Sequence, residues 1–149
     1  MTTIPTASTI RPADFMLLAG RLLLALIFVH EGSTLAFHFG GTIKAMAQSG
    51  IGLPLTVAVI ALQIGAGFAV AIGLLTRLSA VGLGLFCMAT AMLFHANFSI
   101  QNELLHFEKD LAIAGGMFVL AAAGAGSLSC DYRLRKTPVS GLLGYRRFP

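Results

Sequence analysis

The sequence predicts an all-α, polytopic membrane protein whose four transmembrane helices form an up-down bundle. Of the 149 residues, 56% are hydrophobic and only 11% are charged, whereas a soluble domain has about a quarter charged residues. A bilayer core of about 30 Å needs about 20 helical residues, and four apolar segments approach or exceed that length. No segment alternates like a strand, and a membrane-spanning chain must be helical or a closed barrel. We therefore expect lipid to be the main solvent of this protein.

In chain order, the predicted transmembrane helices cover residues 14–37, 53–75, 78–98 and 107–124. Residues 1–13 are expected to be a flexible N-terminal segment, and residues 127–149 a basic tail. A short interfacial helix is predicted at 42–48, between a Gly-Gly pair and a Gly- and Pro-containing connection. The transmembrane domain therefore extends over 14–126, and its short connections make sequential helices antiparallel neighbours.

The distribution of basic residues predicts which way the bundle is inserted. With four spans, eight of the ten Lys and Arg residues fall on the side that holds both termini, and Lys44 and Lys109 fall on the other. The positive-inside rule then places both termini in the cytoplasm. Arg21 and Arg77 are predicted to anchor the helices at this inner interface, Arg21 by extending its long side chain toward it.

With this orientation, the four histidines lie in the outer half of the bundle. At 1.5 Å per residue, His30 lies about 24 Å up the first helix, His95 about 27 Å up the third and Glu108 about 24 Å up the fourth. Ionisable groups at such depth usually face a bundle interior or a wet cavity. The alternative is that they are solvated at the interface, where acidic residues also favour a helix N-terminus. The candidate pocket residues are His30, Glu31, Gln63, His95, Glu108, Lys109 and Asp110.

Such a pocket has two chemical interpretations. Imidazoles and carboxylates bind transition metals, and imidazole also binds haem iron; the candidate ligands here are His30, His95, Glu103, His106 and Glu108. Glu103 and His106 form one ExxH half-site, whereas di-iron bundles need two. Alternatively, the same groups relay protons to a quinone head group, since histidine titrates near neutral pH.

Two other classes of function are disfavoured. Cys87 and Cys130 form no CxxC or Cys/His zinc spacing, so thiol redox chemistry of that kind is not expected. The sequence pI is about 9.6, but the basic residues flank apolar segments and form no continuous patch, so nucleic acid is not an expected partner.

Four stretches together resemble the DoxX family of small four-helix membrane proteins. They are Arg21 with His30 and Gly32, the turn from Gly73 through Arg77 to Ala80, the opening of the last helix at 107–116, and the segment that closes it at 124–131. The resemblance covers roughly residues 15 to 132. It departs from the family pattern at Gln63, where helix 2 often carries a glutamate, at Ala125, where a proline is usual, and at Glu31, which stands between the histidine and the glycine of helix 1.

The resemblance implies a component of a quinone-linked redox system, because the family takes its name from a subunit of a quinone-linked oxidoreductase. It also implies a bacterial-type inner membrane and other membrane or redox proteins as partners. A proton relay that depends on the helix 2 carboxylate is in doubt, because Gln63 cannot ionise. Two alternatives stay open: a non-catalytic accessory or assembly subunit, and a transporter of small solutes or metals, which four helices would form as a homo-oligomer.

Overall fold

The computed structural model describes residues 11–95, 98–99 and 101–136, and this part of the chain is all-α. The six helices within it are α1 (Pro12–Phe37), α2 (Phe39–Gln48), α3 (Leu53–Ile72), α4 (Thr76–Phe94), α5 (Gln101–Ala123) and α6 (Cys130–Lys136). The predicted flexible segment before residue 11 and the end of the predicted basic tail, from 137 on, lie outside the described residues.

Three of these helices, α1, α3 and α4, are long and apolar enough to cross a membrane. Many of their large apolar side chains are exposed, and Met16, Leu23, Phe37, Leu78 and Leu93 are each more than two-thirds exposed. This outward-facing surface requires an apolar solvent, because water would not stabilise it. Helix α5 has 23 residues, but its first half carries four charged residues, Glu103, Glu108, Lys109 and Asp110.

The helices pack mainly as two antiparallel pairs, α1 against α3 and α4 against α5, and α3 joins the pairs by packing on α4. The buried core between them is small and contains Phe28, Val70, Leu83 and Met117. Helix α2 folds back over the ends of α1 and α3. Buried Thr42 holds it there, since its hydroxyl lies 3.0 Å from the Leu35 carbonyl oxygen, in the last turns of α1.

Close contact between α1 and α3 depends on glycine. A Cβ atom on Gly32 would lie 2.8 Å from Ile64 Cγ1, and one on Gly67 would lie 3.0 Å from Val29 Cγ2. Small residues allow such approach where helices pack in lipid. Gly65, by contrast, has no atom within 4 Å of its Cβ position, so it lies outside this contact.

Several predicted helix ends are wrong by a few residues. Helix 2 was expected to reach residue 75 but ends at Ile72, because Gly73 adopts the left-handed conformation (φ +73°) that terminates helices. Helix 3 was expected at 78–98, yet α4 runs from Thr76 to Phe94, and His95 leaves the helix. Helix 4 was expected to begin at 107, but α5 begins at Gln101. Helix α6 was not predicted within the tail.

The side chain of Arg21 is buried among protein groups at the end of the bundle where α1 begins and α5 ends. It is 1% exposed and donates from Nη1 to the Ala125 carbonyl oxygen at 2.7 Å and from Nη2 to that of Leu128 at 2.7 Å. The segment between α5 and α6 therefore wraps around a buried guanidinium. The guanidinium donates hydrogen bonds to carbonyl oxygens of this segment that have no partner within a helix. Arg77 is exposed, and its Nη2 lies 3.4 Å from the Ala122 carbonyl oxygen.

Two aspartates fasten the same segment to neighbouring helices. Asp131 accepts hydrogen bonds from the backbone N–H groups of Leu75 (2.8 Å) and Thr76 (3.0 Å), at the start of α4. Asp14, in the first turn of α1, accepts one from the N–H of Ser127 at 3.0 Å. We call this end of the molecule the basic end, because it contains Arg11, Arg77, Arg133, Arg135 and Lys136. The opposite end, which contains the four histidines, is the histidine end.

Candidate functional site

The central contact of the histidine end joins two helices. His95 follows the last residue of α4 with φ −120° and ψ 25°, and its ring turns toward the first turn of α5. There, Nδ1 of His95 lies 2.7 Å from Oε2 of Glu103, with both side chains less than a third exposed. Because an ionised carboxylate can only accept, Nδ1 carries the shared proton, and Nε2 of a neutral ring is an acceptor.

A second histidine extends this pair. The rings of His95 and His106 stack with centroids 5.1 Å apart and an angle of 26° between their planes. Lys109 Nζ lies 3.2 Å from Nδ1 of His106 and donates to it. Glu103, His106 and Lys109 follow one another at intervals of three residues, so α5 presents them along adjacent turns.

One turn deeper, Asp110 faces α4. Its Oδ2 lies 3.2 Å from the hydroxyl oxygen of Thr90, which is also 2.9 Å from the Cys87 carbonyl oxygen. Asp110 is half-buried, and an ionisable group so placed in a membrane usually faces a cavity or a partner.

These groups surround a cavity of about 340 Å³ between α1, α3, α4 and α5. Its polar lining comes from Glu31, Gln63, Thr90, His95, His106, Lys109 and Asp110, and its apolar lining from residues that include Ile27, Phe28 and Phe86. Glu103 does not line this cavity, but its hydrogen bond with Nδ1 orients the ring of His95.

A larger cavity, about 590 Å³, adjoins the first and lies beneath α2. It is mainly apolar, with Met46, Ile51, Val59 and Phe94 in its wall. The two cavities share Leu35, Gln63, Phe86, Thr90 and His95. They therefore form one cleft, which has a polar end among the histidines and an apolar end beneath α2.

The structure brings together five of the seven pocket candidates: Glu31, Gln63, His95, Lys109 and Asp110 all line the cleft. Two lie elsewhere. His30 is exposed on α1, and Glu108 is exposed on the other side of α5, near Gln101 and Asn102.

The candidate metal ligands are likewise divided. His95, Glu103 and His106 come together, but His30 and Glu108 do not join them. Across the described part of the chain, no three His, Cys, Asp or Glu side chains are grouped to hold a metal ion. Nδ1 of each ring already engages a protein side chain, Glu103 for His95 and Lys109 for His106.

Three residues that line the cleft were not predicted to do so: His106, Thr90 and Cys87. Of these, the sequence had indicated only His106 as a functional candidate, and only as a metal ligand. A helical-wheel signal was available for His106. At about 100° per residue, Glu103, His106 and Asp110 lie within an arc of about 60°, whereas Glu108 lies about 140° from Glu103. Depth along the helix alone placed Glu108 in the site, because it does not show which way a side chain points around the helix axis.

A bundle of apolar helices that encloses a polar cleft at one end defines a multi-pass membrane protein. The DoxX family model matches residues 16–96. The chain belongs to the DoxX family, which confirms the resemblance carried by its sequence.

Two curated relatives from Escherichia coli (strain K12) extend the match beyond that range. The chain is 38% identical to inner membrane protein YqjF over 126 residues, which are 83% of this chain and 95% of the relative. It is 30% identical to inner membrane protein YphA over 139 residues, 85% of this chain and 99% of the relative. Together with the apolar helices, these relatives indicate a multi-pass protein of a bacterial inner membrane. No solved structure matches the chain.

Proposed function

We propose that this protein binds a lipid-soluble quinone in the cleft at the histidine end, as a component of a quinone-linked membrane redox system. The observation that carries the proposal is the division of the cleft into a polar end and an apolar end. A quinone has a polar ring and a long apolar tail, and ligand sites are typically apolar with a few placed polar groups.

The cleft offers both kinds of surface at once. Gln63, Thr90 and His95 lie where the two cavities meet, at the level where a quinone ring would make hydrogen bonds. Below α2 the wall is apolar, so a tail there would be shielded from water and would gain the free energy of apolar burial.

Quinone reduction takes up two electrons and two protons per ring. This chain would supply proton-handling groups: the imidazoles of His95 and His106 line the cleft and can each donate or accept a proton, and Glu103 holds the His95 ring in one tautomer. The electrons would come from a partner redox protein, which makes the chain one component of a larger system. Gln63 cannot ionise, so protons would reach the ring from the α4–α5 side rather than from α3.

The proposal includes the topology. Helix α5 spans the membrane with α1, α3 and α4, with its charged first half directed to the cleft and to the outer surface. Residues 14–126 then form the transmembrane domain, and the basic end faces the cytoplasm, as the positive-inside rule requires. The histidine end opens toward the opposite side, where α2 lies as an interfacial helix.

Binding of a short-chain quinone to the purified protein in lipid nanodiscs tests the proposal. We expect saturable binding that His95→Ala weakens by about tenfold, or about 1.4 kcal/mol. His38→Ala is the matched control, because His38 is an exposed histidine at the same end and does not line the cleft. Equal affinity of the wild-type protein and His95→Ala would contradict the proposal.

A further inference from the structure

Another cavity, of about 470 Å³, lies at the basic end, far from the cleft. Three arginines line it: Arg11 precedes α1, Arg77 lies in the first turn of α4, and Arg135 lies near the end of α6. Residues 124–127, between α5 and α6, form part of its wall.

The charges around this cavity are unbalanced toward positive. Asp14 and Asp131 also line it, so three cations face two carboxylates. Those carboxylates accept hydrogen bonds from backbone N–H groups of Arg11, Leu75, Thr76 and Ser127. The charge of Arg135 acts on Asp131, and the charge of Arg11 acts on Asp14. Within the described ranges, however, none of the three guanidinium groups forms an ion pair with a carboxylate.

Arg77 is held at the cavity by its contact with the 124–127 segment. Gly124 has φ +84°, and a Cβ atom there would lie 3.4 Å from Nε of Arg77. The guanidinium thus lies close to the Gly124 backbone, and its Nη2 reaches the Ala122 carbonyl oxygen at 3.4 Å. A long, nonideal hydrogen bond of this kind leaves most of the five guanidinium donors available to another acceptor.

We infer that this cavity binds a phosphate group, and that its natural source is the headgroup of an anionic lipid. Arginine recognises phosphate through paired N–H donors, and basic pockets between transmembrane helices at the cytoplasmic surface bind anionic headgroups. The cavity lies where α1 and α4 begin and α5 ends, which is the level of the headgroups if these helices span the bilayer. An anion among the three arginines would also relieve their mutual repulsion.

Lipid retained by the purified protein tests this inference. The protein is extracted from vesicles that contain equal amounts of phosphatidylglycerol and phosphatidylethanolamine, and the bound lipid is quantified by mass spectrometry. We expect selective retention of phosphatidylglycerol, reduced by about tenfold, or about 1.4 kcal/mol, in Arg77→Gln/Arg135→Gln. The single variant Arg135→Gln, on an exposed position of α6, should give a smaller loss and serves if the double variant does not fold.

Arg133→Gln is the control, because it removes the same charge from α6 at an exposed residue that does not line the cavity. It should retain phosphatidylglycerol as the wild-type protein does. Inorganic phosphate is the second probe. If phosphate stabilises the wild-type protein but not Arg77→Gln/Arg135→Gln, without selective lipid retention, the phosphate site stands and its ligand is a soluble phosphorylated molecule. Equal losses in the control and the double variant, or no response to either probe, would overturn the inference.

Discussion

The Nδ1 atom of His95 lies 2.7 Å from Oε2 of Glu103, and this contact closes the histidine end of the bundle. It joins the end of α4 to the start of α5 across a connection of six residues, 95–100. By fixing the ring of His95 at the junction of the two cavities, Glu103 determines what the polar end of the cleft presents to a ligand.

Glu103→Gln should weaken quinone binding although Glu103 does not line the cleft. The amide can offer its NH₂ group to Nδ1, which would favour the other tautomer of His95 and turn Nε2 into a donor. We expect an affinity loss of about tenfold, or about 1.4 kcal/mol, and a shifted pH profile of binding, which a purely structural role would not produce. Binding measured from pH 5 to pH 9 provides the check.

Glu108→Gln is the matched control for that experiment. It removes a carboxylate from the same helix, five residues away, at an exposed position outside the cleft. Its affinity and pH profile should equal those of the wild-type protein. A similar effect in both variants would mean that the charge of α5, rather than the His95–Glu103 contact, governs binding.

Arg21→Met should destabilise the basic end. The substitution keeps the length of the apolar stem but removes two hydrogen bonds to the carbonyl oxygens of Ala125 and Leu128. Because these are charge-assisted bonds from a buried group, we expect a loss of roughly 3 kcal/mol or more in the free energy of unfolding. Arg77→Met should cost less than about 1 kcal/mol, since Arg77 is exposed. Denaturant titration in one detergent, followed by circular dichroism, compares them; equal losses would contradict the buried role of Arg21.

Gly73→Ala should be destabilising for two reasons that act together. The position has φ +73°, which costs an L-residue about 1–2 kcal/mol, and a Cβ atom there would collide with Nη1 of Arg21. Gly65→Ala is the control on the same helix, because its Cβ would meet open space; there we expect no loss. The thermal midpoints of the two variants provide the measurement, and a neutral Gly73→Ala would contradict the packing at this turn.

Much of this fold follows from composition and spacing, because apolar length alone identifies the centres of the helices. The helix ends depended on local conformations that hydropathy does not encode. Gly73 ends α3 through its left-handed backbone, and the first two turns of α5 are polar because Glu103 and His106 face other protein groups rather than lipid. A hydropathy criterion therefore placed the start of that helix six residues late.

The candidate site was predictable in depth but not in direction. The rise per residue grouped His95, Lys109 and Asp110, which line one cavity, yet it could not show that Glu108 points away from them. Arg21 illustrates the same limit. A long charged side chain near a helix end usually extends toward the interface. The burial of Arg21 depends on carbonyl groups that are more than 100 residues away in the sequence, so local spacing could not indicate it.

The lowered pKa of Asp131 makes the stability of the basic end sensitive to acid. Burial opposes ionisation of this carboxyl group, but hydrogen bonds from the N–H groups of Thr76 and Leu75 and the charge of Arg135 outweigh it, so the net shift of the pKa is downward. A lowered folded-state pKa stabilises the fold above the unfolded value of about 3.9, and the contribution is lost as the pH falls through the folded value.

Asp131→Asn should therefore be less stable than the wild-type protein at neutral pH, and the difference should begin to shrink only as the pH falls below the unfolded value of about 3.9. Thermal unfolding of both proteins across this pH range is the measurement. Glu108→Gln, which removes an exposed carboxylate, should leave the pH dependence unchanged. A stability difference that stays constant with pH would mean that ionised Asp131 does not hold the α3–α4 turn.

Photolabelling tests whether the cleft is the quinone site. An azidoquinone with an apolar tail is irradiated with the purified protein in nanodiscs, and the labelled peptides are mapped by mass spectrometry. We predict labels on the cleft walls formed by residues 41–51 and 86–95, removed by excess unlabelled quinone and reduced in His95→Ala. Labels spread over the lipid-facing surfaces of α1, α3 and α4, and unaffected by competitor, would contradict the claim.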